Sequence, residues 1–221
     1  MKELDLLKKD WQKNDNSFEQ VSEIEIYKMI HKKSSSIVKW ILIISVLEVI
    51  LWTCLSFFFD SDEYLKKIKH LEFITYFDML TYFNYAVILI FIYLFYKNYI
   101  LISTTASTKQ LMQDILKTRK TVQYYVWYNL AMLVFSLIIG FVIAFAYNPE
   151  MDTLKNHINT NGKVMAITIA FLVFATLLIF GLFWLFYRVI YGILLRRLYA
   201  NYKELKKIDL QKKETIVTFL F

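Results

Sequence analysis

The chain has 221 residues, of which 57% are hydrophobic and 18% aromatic, and its formal net charge is +7. Only four glycines and one proline interrupt it. This composition is too apolar for an ordinary soluble domain and is typical of integral membrane proteins. The single cysteine, Cys54, excludes an intrachain disulfide and a metal cluster built from cysteines.

The N-terminal segment, residues 1–36, is predicted to be cytoplasmic, helical and amphipathic. Its side chains Leu4, Leu7 and Trp11 fall on one helical face. Two interpretations of this face remain open. It packs on the protein's own inner surface or on lipid, which we favour, or it docks in the groove of a cytoplasmic protein partner.

Four long apolar stretches follow, at about 37–59, 79–102, 123–147 and 164–187. Each is long enough for a helix to cross a bilayer core, which needs roughly 20 residues. Ser22 and Glu25 have the spacing of a capping box, which predicts that a helix begins there and runs into the first span. The sequence therefore predicts an all-α integral membrane four-helix bundle over residues 37–195, with helical cytoplasmic extensions that include a C-terminal helix and tail at 196–221.

The basic residues predict the orientation of the bundle. Of the 26 Lys and Arg, 21 lie in the two terminal segments and in the connection between the second and third spans. The positive-inside rule then places both termini in the cytoplasm, with the bundle in the inner membrane. We expect the basic side chains to contact the anionic lipid bilayer rather than nucleic acid. Association into a homo-oligomer stays open.

Aromatic side chains gather at the predicted inner boundary of the spans. They are Trp40, Tyr96, Tyr99, Tyr124, Tyr125, Trp127, Tyr187 and Tyr191. Tyrosine and tryptophan are enriched where the membrane meets water, because their rings are apolar and their tips are polar. The sequence therefore predicts that these side chains form an interfacial belt.

One acidic residue, Glu48, lies in the middle of the first span, on the helical face that also carries Ser45 and Trp52. We expect this face to turn towards the bundle. The candidate polar partners at similar depth are Asn84, Tyr85, Ser136 and Thr176, with Arg188 reaching the same level only if the fourth span sits deep. A hydrogen bond that fixes helix register is favoured over a proton or ion site on a transport path, because the other spans offer few polar residues.

The third span also carries small residues at four-residue spacing, namely Ser136, Gly140 and Ala144. Such a stripe lets another helix approach closely. We expect this close contact inside the bundle rather than between subunits.

Catalytic constellations are missing from the sequence. The three histidines, His31, His70 and His157, lie too far apart to form the paired motifs of a histidine-rich iron site. The four glycines are scattered and form no phosphate-binding loop. We therefore expect no enzyme activity, no cofactor and no metal site.

The stretches LDLLKKDW and EIYKMIHKKSSSIVKWI resemble the opening of a family of uncharacterised four-span inner-membrane proteins common in flavobacteria. Some members carry an automatic label as a carotene monooxygenase. Carotenoid-cleaving enzymes of the animal type use four histidines on iron in a soluble propeller, whereas this chain has three histidines and no propeller repeats. The resemblance implies the four-span layout and assigns no functional residues.

Two functions follow as hypotheses. The first is a non-enzymatic anchor or regulator that acts through its cytoplasmic helices. The alternative is a small transporter or channel subunit that uses Glu48 as an intramembrane proton or ion site.

Overall fold

The computed structural model describes residues 22–58, 71–147 and 151–220. They form the helices α1 (Glu23–Phe58), α2 (Leu71–Thr104), α3 (Thr108–Tyr147), α4 (Asp152–Thr160) and α5 (Gly162–Leu220). All except the short α4 are long and apolar enough to cross a membrane. The predicted fold class, an all-α four-helix membrane bundle, is confirmed, and the chain is a multi-pass membrane protein. Helix α4 lies in a connection for which the sequence predicted no element.

Helix α1 begins with the predicted capping box. The backbone N–H of Glu25 donates to Ser22 Oγ at 3.3 Å, and the backbone N–H of Ser22 donates to Glu25 Oε2 at 3.0 Å. No glycine or proline follows before Phe58, so the helix continues unbroken from the polar segment into the apolar one. The predicted docking residues Leu4, Leu7 and Trp11 lie outside the described residues, and their role stays a prediction.

One end of the bundle carries most of the described Lys and Arg side chains, and we call it the basic end. It contains the first turns of α1, the connection between α2 and α3, and the second half of α5. Helix α5 has 59 residues, about 90 Å at the usual helical rise, and therefore extends far beyond a hydrocarbon core of about 30 Å. Helices α2 and α3 are joined by only three residues there, so they form a tight helical hairpin.

The densest packing lies at the basic end. Most of the fully buried apolar side chains belong to it, including Val38, Ile102, Ile115, Leu198 and Leu205, each 0% exposed. In contrast, the most apolar window of α5 contains no buried side chain among the described residues. The basic end is therefore packed like a soluble helical domain, while the apolar window of α5 is left for lipid.

Two polar pairs fix the register of the helices within this packed region. Asn201 Nδ2 on α5 donates to Ser34 Oγ on α1 at 3.0 Å, and both side chains are almost fully buried. Asn98 Nδ2 on α2 donates to Thr121 Oγ1 on α3 at 3.4 Å. Because a buried polar group without a partner is costly, each pair favours one alignment of its two helices over shifted ones.

The close contact that the small-residue stripe of α3 was expected to make inside the bundle is absent at Gly140. A methyl group added at Gly140 would meet no atom within 4 Å, so no other helix of the described chain approaches it closely. Spacing alone identifies a face where close approach is sterically allowed, but it does not supply a helix to fill it.

Candidate functional site

The carboxylate of Glu48 is the acceptor of three tyrosine hydroxyl groups, and we call these four residues the Glu48 cluster. Tyr125 OH donates to Oε2 at 2.9 Å, and Tyr191 OH donates to the same oxygen at 3.0 Å. Tyr187 OH donates to Oε1. Glu48 itself is only 6% exposed. The cluster thereby joins α1 to α3 and to α5.

Aromatic packing holds the three hydroxyl groups in place. Tyr187 and Tyr191 are four residues apart on α5, so they share one face, and their rings stack with centroids 6.0 Å apart. The ring of Tyr125 packs edge-on against Tyr191 at 5.9 Å and against Phe95 at 5.4 Å. Such edge-to-face contacts are favourable for aromatic quadrupoles. The packing of the rings therefore fixes the positions of the three hydroxyl groups that donate to the Glu48 carboxylate.

The carboxyl group of Glu48 has no basic partner in the described part of the chain. Among the described residues, Glu48 forms no ion pair with a Lys or Arg side chain. The guanidinium of Arg188 instead lies 4.7 Å from the ring centre of Trp184. Hydrogen bonds from the three tyrosines, rather than an ion pair, thus stabilise Glu48.

A cavity of about 400 Å³ opens beside the cluster, and we call it the Glu48 cavity. Glu48, Tyr125 and Tyr187 line one end of it, while Tyr191 lies outside its lining and closes the cluster from the packed side. All four long helices contribute walls. The other lining residues are Val49, Trp52, Leu80, Thr81, Asn84, Tyr85, Ile88, Asn129, Met132, Leu133, Ser136 and Phe183.

The structure brings three of the predicted partner residues into the same cavity as Glu48, namely Asn84, Tyr85 and Ser136. Asn84 accepts a hydrogen bond from Tyr128 OH through Oδ1 at 3.0 Å. Thr176 does not line the cavity, and its hydroxyl donates to the backbone carbonyl of Leu172 on its own helix at 2.8 Å. None of these four residues contacts Glu48 by a hydrogen bond.

The sequence placed the three hydrogen-bond partners of Glu48 on the membrane interface instead of inside the bundle. Tyr125, Tyr187 and Tyr191 were predicted to belong to the interfacial belt, but they are 1%, 4% and 1% exposed. For them the prediction was wrong, whereas Tyr124 and Trp127 are well exposed. A tyrosine near the boundary can point into the bundle as well as outwards, and the acid at matching depth was the signal that could have decided between the two.

Asn129 is a further polar residue that the sequence reasoning missed. It lines the cavity one turn from Tyr125, and its side-chain nitrogen donates to the Tyr125 carbonyl at 2.8 Å. Tyr125, Asn129, Met132 and Ser136 follow one another at helical spacing, so a single face of α3 forms one wall. The cavity is therefore more polar than the predicted partners alone implied.

The side chains that commonly bind metal ions do not cluster in the described part of the chain. Within its three ranges, no three His, Cys, Asp or Glu side chains lie close enough together to hold a metal ion. Glu48 is thus a single acidic group among hydroxyl, amide and aromatic groups.

A comparison with protein families gives one match. The model of the family described as Domain of unknown function (DUF8845) matches residues 24–210. The chain belongs to this family. No curated protein and no solved structure matches the chain. The match contains all residues of the Glu48 cluster and of the cavity, so the site lies within the domain shared by the family.

Proposed function

We propose that this membrane protein binds a small cation inside its bundle and works as a small transporter or channel subunit, with Glu48 as the charged contact. The observation that carries this proposal is a carboxylate without a basic partner at one end of a 400 Å³ cavity. Acidic residues inside membrane bundles are costly and commonly mark ion or substrate pathways. Cavities with a few convergent polar groups are the usual binding sites of small ligands.

The lining of the cavity favours a cation over an anion or a neutral solute. None of the described residues that line it is basic. A carboxylate taken out of water is destabilised unless a charge or hydrogen bonds compensate it, and a bound cation would complete the compensation that the tyrosines begin. Trp52 and Phe183 stack at 5.6 Å on the wall, and aromatic faces attract cations.

The location of the protein in the cell is part of the same proposal. The excess of Lys and Arg on one side supports an inner-membrane protein with both termini in the cytoplasm. The resemblance of residues 3–48 to flavobacterial inner-membrane proteins supports the same compartment. The activity proposed is non-enzymatic, and a homo-oligomer is compatible with it.

The cavity should be open to water and should prefer cations. In a Cys54→Ser background, Met132→Cys is treated with the cationic reagent 2-(trimethylammonium)ethyl methanethiosulfonate and its anionic 2-sulfonatoethyl counterpart, and each rate is divided by the rate of the same reagent with a free thiol in solution. We expect the corrected rate to be at least about tenfold higher for the cationic reagent, because Glu48 biases the local potential. Adding Glu48→Gln should bring the two corrected rates together. Reaction rates in reconstituted vesicles, followed by mass spectrometry, measure this.

The matched control is Ala131→Cys, one residue away on the outer face of the same helical turn. It should react with neither reagent, because a thiol facing lipid does not ionise. Lack of reaction at Met132→Cys would rule out the water-filled cavity. Equal corrected rates for both reagents at Met132→Cys with Glu48 present would rule out cation selectivity.

A second candidate function is an anchor or regulator that acts through the cytoplasmic helices. The packed basic end favours it, because the helices there bury a continuous apolar core and form a helical layer. A layer of this kind offers a rigid surface for a soluble partner.

The predicted docking face tests this second candidate. If Leu4, Leu7 and Trp11 contact a partner, a soluble protein should co-purify with the full chain in mild detergent. The triple change of these residues to alanine should abolish the co-purification, whereas Lys2→Ala, Lys8→Ala and Lys9→Ala, which spare the apolar face, should preserve it. Equal loss in both variants would show that the partner does not specifically recognise the apolar face, which would contradict this docking role.

A further inference from the structure

A second cavity of about 430 Å³ lies in the groove between α1 and α5 near the basic end. Three cationic side chains line it, Lys32 and Lys33 from α1 and Arg197 from α5, and all three are exposed. Within the described residues no carboxylate forms an ion pair with any of them. We call this cavity the basic groove. Its positive charge favours binding of an anion.

Hydrogen bonds join the two helices that form the groove. Within its length, Asn201 Nδ2 on α5 donates to Ser34 Oγ on α1, next to Lys33, at 3.0 Å. Towards the centre of the bundle, Tyr187 and Tyr191 donate to Glu48 and join the same helices again. These links oppose sliding of α1 against α5 and keep the two lysines and Arg197 along one groove.

Polarity changes along the groove in the same direction on both helices. On α1, Trp40 lies seven residues after Lys33, about 10 Å closer to the apolar span. On α5, which runs the opposite way, Leu194 precedes Arg197 and also lies on the span side. Trp40 is 55% exposed, and tryptophan favours the level of the lipid headgroups. Apart from Met29 at its outer end, the groove is therefore cationic away from the membrane and apolar towards it.

We propose that the basic groove binds one anionic phospholipid, with its phosphate held by Lys32, Lys33 and Arg197 and its acyl chains lying along Trp40 and Leu194. A soluble anion would use the cations but would leave the apolar end unfilled. A phospholipid matches both ends, and basic sites between membrane helices are suited to anionic headgroups. This proposal does not rest on the function proposed for the Glu48 cavity.

Native mass spectrometry of the full chain in detergent tests the proposal. Titration with dioleoyl-phosphatidylglycerol should give one tightly bound lipid, at least about tenfold tighter than dioleoyl-phosphatidylcholine, which has the same chains and a zwitterionic headgroup. The combined change Lys32→Gln, Lys33→Gln and Arg197→Gln should lower the phosphatidylglycerol affinity to that of phosphatidylcholine. These side chains are exposed, so the variant is expected to fold.

The control removes the same number of charges elsewhere at the basic end. Lys109→Gln, Lys206→Gln and Lys207→Gln change exposed side chains outside the groove and should leave the affinity within about twofold. Equal binding of the two lipids, or equal losses in the two triple variants, would overturn the proposal. Displacement of the lipid by an equal concentration of glycerol 3-phosphate would also overturn it, because the occupant would then be a soluble phosphate.

Discussion

Replacing Glu48 by methionine is expected to destabilise the purified bundle, although the change removes a charge from the membrane interior. Tyr125, Tyr187 and Tyr191 would keep their buried hydroxyl groups and lose the acceptor that all three share. A buried polar group left without a partner costs about 1–3 kcal/mol. The melting temperature in detergent, followed by circular dichroism, should therefore fall clearly.

The informative comparison replaces the whole cluster with apolar groups. Glu48→Met combined with Tyr125→Phe, Tyr187→Phe and Tyr191→Phe leaves no unpaired hydroxyl, and substituting every partner of a buried polar network is often neutral or stabilising. We expect this fourfold variant to recover most of the stability lost by Glu48→Met. It should still lack the cation preference at position 132, which would separate the ligand role of the cluster from its structural role.

Glu204→Met serves as the control for the single change, because Glu204 is an exposed acid on α5. It should leave the melting temperature nearly unchanged. If Glu48→Met melted like the native chain, the hydroxyl groups would have found other partners, and the cluster would not be holding α1 to α3 and α5.

Truncation of Leu198 is expected to have the second large effect. Leu198 is 0% exposed in the packed basic end, and Leu198→Ala should cost about 2–5 kcal/mol of unfolding free energy through lost contacts and a residual cavity. Leu182, on the same helix, is 59% exposed in the apolar window, and Leu182→Ala should cost less than about 0.5 kcal/mol. Unfolding by denaturing detergent measures both values.

Comparison of Leu198→Ala with Leu182→Ala shows which end of the bundle contributes more to its free energy of unfolding. Both changes remove the same atoms from α5, so their difference reports packing and not helix propensity. Equal losses would show that the apolar window is packed against protein in the native state, and the contrast between the two ends of the bundle would then be wrong.

The sequence was sufficient to predict the helices but not the residues that surround Glu48. Two adjacent tyrosines on α3 show the reason. Hydropathy places a residue along the helix axis, and on this basis the four spans were predicted, while the spacing of Ser22 and Glu25 predicted the start of α1. Hydropathy does not fix rotation about that axis. Tyr124 and Tyr125 lie at almost the same depth, yet Tyr124 is 67% exposed and Tyr125 is 1% exposed. Their directions differ by one step of about 100° around the helix.

The partners of Glu48 depended on this missing rotation. Asn84 and Ser136 were chosen by depth and do reach the cavity, but the groups that bond the carboxylate are long side chains from nearer the basic end. A tyrosine hydroxyl lies well away from its own backbone. A comparison of backbone depths in the membrane therefore misses residue pairs whose side chains can form a hydrogen bond. Gly140 illustrates the converse, since its spacing allowed a close contact that no described helix makes.

The continuity of α1 has a mechanical consequence. Glu48 and Lys32 are sixteen residues apart on a helix without glycine or proline, about 24 Å of stiff rod. Because such a rod resists bending, a force applied to α1 at Glu48 would be transmitted to the lysines beside Arg197, where the hydrogen bond between Asn201 and Ser34 opposes movement. A solute bound inside the bundle and a lipid bound beside it would then be coupled, so that each occupant alters how firmly the other is held.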